Sequence, residues 1–165
     1  GGVGGQGVLG VCGPVAGWYH GGCEGAYQED RSQGVIARLR EGADAASVTD
    51  GVLVNQALAA ADLLAAQGIQ AEVLKLNQIS PLEYDMLAPW LTGKRLLAVA
   101  EDAFGAGCVG QRVAAILAQH GQAPEKLVLI NLGKTFLPEG TVPQLEQEAG
   151  IDAAGIARAV QEART

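Results

Sequence analysis

A glycine-rich turn between a predicted strand and a predicted helix is the segment of this chain best suited to chemistry. Gly105, Gly107 and Gly110 match the spacing G-x-G-x-x-G and follow an apolar run from Arg95 to Asp102. In a dinucleotide-binding fold such glycines let the backbone approach a pyrophosphate, which the N–H groups and positive dipole of the following helix bind. The same glycines would also let a helix pack closely on a sheet. The segment therefore predicts either a phosphate site or a structural junction.

Two features favour the structural interpretation of this turn. A dinucleotide site needs an acidic residue at the end of the following strand to bind the ribose hydroxyls, but that strand ends at Asn131 and Leu132. The turn also follows a late strand of the regular region, whereas the fingerprint normally follows the first. A second match to the spacing, from Gly2 to Gly7, has no strand before it. We therefore expect Gly107 and Gly110 to let the helix pack closely on the sheet.

Acidic and histidine side chains are the other candidates for chemistry. Glu101 and Asp102 follow a predicted strand at the edge where α/β sheets usually place ligands, and Asp50 follows an earlier strand. Acid–base chemistry, helix capping and solvation all explain these carboxylates. His120 is expected to interact with the dipole at the end of its helix, and the residues around His20 lack the four-ligand spacing of a structural zinc site. We predict no catalytic, cofactor-binding or metal-ligating residue in this chain.

The composition disfavours several classes of function. The chain has 165 residues, of which 48% are hydrophobic and 4% aromatic, which suits one ordinary domain with an aliphatic core. A net charge of −7 without a basic stretch makes nucleic acid an unsuitable partner. No apolar run approaches the roughly 20 residues of a membrane span, and the start does not resemble a secretory signal. Cys12, Cys23 and Cys108 form no CxxC pair, so we expect a reduced, cytoplasmic setting.

Strands and helices alternate along most of the chain and predict its fold class. We predict strands over 35–40, 45–49, 71–77, 95–101 and 126–131. The strand at 35–40 is expected at an edge, and the one at 126–131, apolar on both faces, in the centre. This alternation predicts a three-layer α/β/α sandwich around a mostly parallel sheet of about five strands.

Capping signals predict where the helices begin and end. Helices are expected over 52–67, 108–120, from Thr141 with a capping box to Gln144, and from Asp152 to about 163. Another helix is predicted to begin at Ser80 as N-cap, with Pro81 at N1 and Glu83 closing a capping box. Its buried stripe is expected to be Leu82, Met86 and Trp90, and the stripe of 108–120 to be Val109, Val113, Ile116, Leu117 and His120.

Glycine divides the chain into two parts. Eleven of the first 25 residues are Gly, against 13 in the other 140, and so many glycines carry a large ordering entropy. The lead-in, residues 1–33, is therefore predicted to be a severed piece of a preceding domain or a disordered segment, ending in a polar linker at 28–33. Residues 34–165 are predicted to form the regular domain.

The regular domain resembles a known family. The segments 49–61, 68–69 and 79–82, in this order, look like the C-terminal domain of thiamine-diphosphate-dependent transketolase-type enzymes. Segments 132–141 and 150–156 are most similar to the 1-deoxy-D-xylulose-5-phosphate synthases of that group. The resemblance covers about 34–162 and implies a domain that completes the homodimer and the outer wall of the substrate channel. It makes Glu101 and Asp102 candidate channel residues.

The lead-in resembles the last strand of the pyrimidine-binding domain that precedes this domain in the family. Tyr19 matches the family pattern and is a further candidate for the substrate channel. Trp18, His20 and Gly21 stand where the family has Arg, Pro and Arg. Neither Trp nor Gly offers a guanidinium group, so no role in binding the substrate phosphate is carried over. The lead-in is thus expected to be the remnant of that domain plus a linker.

The resemblance implies the chemistry of a larger enzyme. That parent would join pyruvate to glyceraldehyde 3-phosphate with loss of carbon dioxide, for isoprenoid, thiamine and pyridoxol biosynthesis. Thiamine diphosphate and magnesium would sit between its first two domains. This chain is then expected to be inactive alone and to bind neither group. Its expected partners are a second copy, with which it forms a homodimer, and the remaining domains of the enzyme. The alternatives are a docking module like those of pyruvate dehydrogenase beta-type subunits, and a nucleotide-binding module using Gly105–Gly110.

Overall fold

A computed structural model describes residues 34–133 and 139–165 of the chain. The predictions for Tyr19, Trp18, His20 and Gly21, for the lead-in as a domain remnant, and for part of the closing segment lie outside these residues.

The described residues form a five-stranded sheet with helices on both faces. The strands are β1 (Ile36–Arg40), β2 (Ala45–Thr49), β3 (Ala71–Leu76), β4 (Leu96–Ala100) and β5 (Lys126–Ile130). The helices are α1 (Val54–Ala65), α2 (Tyr84–Leu91), α3 (Val109–Gln119), α4 (Val142–Ala149) and α5 (Ala153–Arg164). The strand order is β1-β3-β2-β4-β5. Only the β1–β3 pair is antiparallel among the described strands, which confirms the mostly parallel sheet and the edge position of β1.

Alternate side chains of each strand enter two separate hydrophobic cores. Along β4, Leu96 and Ala98 join the core that contains Leu64 of α1 and Ile156 of α5. The intervening Leu97 joins the opposite core, which contains side chains of α2 and α3. Because a strand presents successive residues to opposite faces, the sheet lies between two helical layers. The three-layer sandwich is therefore confirmed.

The predicted central position of the strand at 126–131 is wrong. β5 pairs only with β4 among the described strands and lies at an edge of the sheet, where Leu127 is 37% exposed. Its two faces are nevertheless apolar because α3 contacts it on one face and α5 on the other. Apolar residues on both faces of a strand thus indicate that helices pack above and below it. They do not indicate whether the strand has a neighbouring strand on each side.

The predicted start of the second helix is also wrong. α2 begins at Tyr84 with Glu83 as its N-cap, three residues later than the predicted N-cap Ser80, and Glu83 makes no side-chain capping hydrogen bond. The Pro81 carbonyl instead accepts a hydrogen bond of 2.7 Å from Nε2 of Gln78, so the residues from Ser80 form a turn. A helix that begins later also buries a different stripe.

The buried residues of two helices differ in part from the predicted stripes, although Leu82, which lies before α2, is buried as predicted. In α2 the buried side chains are Leu87 and Leu91, and Met86 and Trp90 are only half-buried. In α3, Val113 and Leu117 are buried as predicted, together with Gly110, and Val109 and Ile116 are half-buried. His120 ends α3 in an exposed position, where its ring stacks on that of Tyr84 with centroids 3.9 Å apart.

Several helix ends match their sequence signals. Thr141 and Gln144 form the predicted capping box of α4. Asp152 caps α5, since its Oδ1 accepts a hydrogen bond of 2.8 Å from the Gly155 backbone N–H. Gly68 follows α1 with a φ of +77°, the left-handed conformation expected of a glycine after a helix.

Candidate functional site

The order of the strands in the sheet changes direction between the parallel neighbours β2 and β4. From β2 the chain passes through α1 to β3 on one side, and from β4 it passes through α3 to β5 on the other. α1 and α3 cover opposite faces of the sheet, the arrangement that in open α/β sheets leaves a crevice at the carboxyl ends of the strands, here those of β2 and β4. Asp50 follows β2, and Glu101 and Asp102 follow β4. We call these three residues and the space between them the switch-point crevice; the structure brings together the three carboxylates that the sequence singled out.

Glu101 holds the start of α3. Its side chain is buried, with the residue 2% exposed. Oε2 accepts a hydrogen bond of 2.8 Å from the Val109 N–H, and Oε1 accepts one of 2.8 Å from the Gly110 N–H. The first amides of a helix have no partner within the helix and readily bind anions. Here the anion is the protein's own carboxylate, so these two donors are not free to bind a phosphate.

Gly110 is the glycine that allows close packing at this turn. A Cβ atom there would lie 2.6 Å from Cδ2 of Leu129 and 3.2 Å from Cβ of Val99. The packing role predicted for Gly110 is therefore confirmed. The same prediction for Gly107 is wrong, because a Cβ at this residue would meet nothing within 4 Å. Gly107 instead adopts a φ of +75°, which an L side chain rarely allows.

Asp50 has the opposite environment to Glu101. Its Oδ1 is buried and accepts no hydrogen bond from the described residues. Burial, followed by the negative charges of Glu101 and Asp102, raises the pKa of Asp50 to about 6, and a hydrogen bond from its own backbone opposes the rise. A buried carboxylate oxygen without a donor is costly, and proton binding to the carboxyl group removes that cost.

A glutamine behind the crevice joins three helices. Nε2 of Gln56 in α1 donates a hydrogen bond of 2.9 Å to Oε2 of Glu146 in α4. Oε1 of the same side chain accepts one of 3.0 Å from the Ala153 N–H at the start of α5. Burial raises the pKa of Glu146, and the charges of Asp102 and Asp152 also raise it, while the hydrogen bond from Gln56 opposes them. No sequence signal predicts this bridge, because Gln56 and Glu146 lie 90 residues apart.

The remaining candidates add no reactive group to the crevice. Cys108 is buried before α3, and burial raises the pKa of its thiol. Nδ2 of Asn131 lies 3.9 Å from its Sγ. Across residues 34–133 and 139–165, no group of three or more His, Cys, Asp or Glu side chains could hold a metal ion. None of the helices in these segments has the length and apolarity needed to cross a membrane.

Comparisons with known proteins give consistent matches. A family model described as "Transketolase, C-terminal domain" matches residues 34–156. The 1-deoxy-D-xylulose-5-phosphate synthase 1 of Geobacter sulfurreducens is 34% identical over 123 residues, which are 74% of this chain and 19% of that protein. The synthase of Thiobacillus denitrificans is 37% identical over the same shares of the two chains. This chain therefore spans about a fifth of the length of these relatives.

Shorter relatives and a solved structure also match. The 6-deoxy-6-sulfo-D-fructose transketolase subunit SqwH of a Clostridium species is 31% identical over 129 residues, 78% of this chain and 39% of that protein. The solved structure described as "Split gene transketolase, inactive beta4 tetramer" has 27% sequence identity and a TM-score of 0.68. The match covers 79% of this chain and 41% of the solved one.

Proposed function

Because the chain belongs to the transketolase C-terminal domain family, we propose that it is the structural and dimer-forming C-terminal domain of a 1-deoxy-D-xylulose-5-phosphate synthase. The whole enzyme would join pyruvate to glyceraldehyde 3-phosphate and release carbon dioxide in the cytoplasm. Two synthases at 34% and 37% identity support this choice within the family. The chain itself would supply a rigid domain and a subunit contact, with the chemistry left to the preceding domains.

The arrangement at the start of α3 carries the proposal of a structural role. Glu101 accepts both backbone N–H groups that a phosphate would need there. Gly110 then brings the helix against Val99 and Leu129. A strand, an acidic residue and a glycine-rich turn are thus used to fasten a helix to a sheet. This use favours a structural domain over a nucleotide-binding module.

The crevice also does not fit thiamine diphosphate. Its diphosphate would meet the carboxylates of Asp50, Glu101 and Asp102 at the carboxyl edge of the sheet, where like charges repel. The donors that could offset this repulsion are already bonded to Glu101. We therefore assign thiamine diphosphate and magnesium to the other domains of the enzyme, and no step of the reaction to this chain.

The candidate channel residues divide by exposure under this proposal. Asp102 is exposed, so it remains a candidate for the outer wall of the substrate channel. Glu101 is buried and fully used by α3, so we assign it a positioning role. Tyr19 remains a channel candidate on the family resemblance alone.

A domain replacement tests the proposed function. In the Geobacter sulfurreducens synthase, the 123-residue segment that matches this chain is replaced by the corresponding segment of this chain. We expect the chimera to form a dimer and to make product from pyruvate and glyceraldehyde 3-phosphate. The 165-residue chain alone, with thiamine diphosphate and magnesium added, is expected to make none.

Two controls make the replacement decisive. The same synthase without any C-terminal domain is expected to lose activity, and the synthase cut and rejoined to its own domain is expected to keep it. A chimera that unfolds cooperatively but stays monomeric and inactive would refute the proposed role. Turnover by the 165-residue chain alone would refute its catalytic silence.

A second candidate is the C-terminal domain of a split transketolase subunit. The Clostridium subunit is 31% identical over 129 residues, close to the identity of the synthases, and it is a much shorter protein. The solved split-gene transketolase adds a structural neighbour of this kind. Such a domain would also contact partner chains, as the docking module of a pyruvate dehydrogenase beta-type subunit does. A chimera built on the Clostridium subunit that regains activity with its partner subunit, when the synthase chimera does not, would select this candidate.

A further inference from the structure

The switch-point crevice contains a titratable side chain that the proposed structural role does not use. Asp50 directly follows β2, and the carboxylates of Glu101 and Asp102 follow the neighbouring β4. Oδ1 of Asp50 is buried without a hydrogen-bond partner among the described residues. The crevice thus places a poorly satisfied carboxylate beside two others.

We propose that Asp50 is a proton-binding residue, which takes up a proton in mildly acidic solution while Glu101 continues to accept its two hydrogen bonds from α3. Proton uptake by Asp50 removes one negative charge from the crevice and relieves the repulsion between the ends of β2 and β4. The fold therefore contains a pH-sensitive contact. This inference does not depend on which enzyme the domain serves.

The division of roles follows from hydrogen bonding. Each oxygen of Glu101 accepts a hydrogen bond from a backbone N–H group of α3, at Val109 and Gly110. Asp102 is exposed to water, which solvates its charge. Asp50 has neither arrangement at its buried Oδ1. Burial, followed by the charges of Glu101 and Asp102, raises the pKa of Asp50 to about 6.

The charged groups on the surrounding elements are mostly of one sign. The first turn of α1, which follows Asp50, contains no acidic residue. On β3, the buried Lys75 is paired in register with Thr49, next to Asp50. Glu146 of α4 and the cap residue Asp152 lie behind Asp102, whose charge is coupled to that of Glu146. Proton uptake therefore acts on a region with a surplus of carboxylates.

The effect on stability has a definite sign. The pKa of Asp50 rises from 3.8 to about 6 on folding, so the folded chain binds the proton more tightly than the unfolded chain does. The resulting stabilisation is fully present below about pH 4, declines as the pH rises, and is gone above about pH 6. This direction is opposite to that of a carboxylate held by an ion pair.

A direct titration tests the proposal without any change to the fold. The side-chain ¹³Cγ shift of Asp50 is followed by NMR in the 165-residue chain as the pH is varied, and Asp50→Asn assigns the signal. We expect its midpoint near about pH 6. A midpoint at or below about pH 4, the value of an ordinary aspartate, would overturn the proposal.

Thermal unfolding gives the second readout. Relative to the wild type, Asp50→Asn is expected to raise the melting temperature by several degrees above about pH 7 and by much less near pH 4. Asp62→Asn is the matched control, since Asp62 is 77% exposed and pairs with Arg40 at the surface. It is expected to show no pH-dependent gain of this kind. An equal gain for Asp50→Asn at both pH values would contradict proton binding by Asp50.

Discussion

The turns that follow β2 and β4, at the centre of the sheet, both begin with an acidic residue and both lead to a helix, but the two carboxylates differ in their hydrogen bonds. After β4, Glu101 reaches the first amides of α3 and both of its oxygens accept hydrogen bonds. After β2, Asp50 precedes α1 but leaves a buried oxygen without a donor among the described residues. The comparison shows that an acidic residue at the end of a strand can fasten a helix or remain as a buried charge.

The lengths of the two turns account for the difference. Val109, whose amide is the first that Glu101 binds in α3, lies eight positions after Glu101, with seven residues between them, so the chain can fold back over the carboxylate. Only three residues lie between Asp50 and Val54, where α1 begins. The residue before α1 is Leu53, which has no capping side chain, so α1 begins without a bound carboxylate. Because both the turn and the Asp50 side chain are short, the Asp50 carboxylate does not reach the first amides of α1 as Glu101 reaches those of α3.

Among the substitutions that test this comparison, removal of the Glu101 carboxylate should lower the stability of the domain the most. Glu101→Ala leaves the Val109 and Gly110 amides without their acceptor, and we expect the free energy of unfolding to fall by about 2–4 kcal/mol. Glu101→Gln keeps one acceptor oxygen, so its loss should be roughly half as large. Urea denaturation followed by circular dichroism measures both. A loss below about 1 kcal/mol for Glu101→Ala would mean that Glu101 does not fasten α3.

Adding a methyl group at Gly110 should lower the stability of the domain by an intermediate amount. Gly110→Ala places a Cβ 2.6 Å from Cδ2 of Leu129, and we expect a destabilisation of about 1–3 kcal/mol from overpacking. The same substitution in a Leu129→Ala background should cost less, because the closest contact is gone. Denaturant unfolding of the two single variants and the double variant provides the cycle. Simple additivity of the two substitutions would contradict close packing at this position.

Neutralising Asp102, the exposed carboxylate near Asp50, should have the smallest effect, a change in the titration midpoint of Asp50. Asp102→Asn removes the weaker of the two charges that raise the pKa of Asp50, after burial and Glu101. We expect the titration midpoint of Asp50 to fall by a fraction of a pH unit, and by less at high salt, because water and ions screen an exposed charge. The NMR titration of Asp50 measures this shift. A midpoint that rises, or that falls more at high salt, would be inconsistent with repulsion by Asp102.

Local sequence patterns predicted most of the fold, and contacts distant in sequence account for what they missed. The capping box at Thr141 and the cap at Asp152 involve residues three positions apart, so the sequence alone predicts them. The lateral position of β5 depends on which strands pair, and the start of α2 on a turn that involves Gln78. Neither is encoded in hydrophobic period or in a capping motif.

The candidate site was predictable in its residues but not in their roles. Asp50 and Glu101 follow strands, which is why the sequence identifies them as candidates at the edge of the sheet. Their hydrogen bonds depend on how the following turns fold back, and no short motif describes this. The bridge from Gln56 to Glu146 joins residues 90 positions apart and has no sequence signal.

The central claim is that the glycine-rich turn fastens α3 to the sheet through Glu101 and binds no phosphate. The most direct test follows the backbone amide signals of Val109 and Gly110 by NMR while the 165-residue chain is titrated with inorganic phosphate and then with NAD. We predict that both signals stay in place up to millimolar ligand, because Glu101 occupies both N–H groups. A saturable shift of both amides would show that an external phosphate replaces the carboxylate, and would contradict this account.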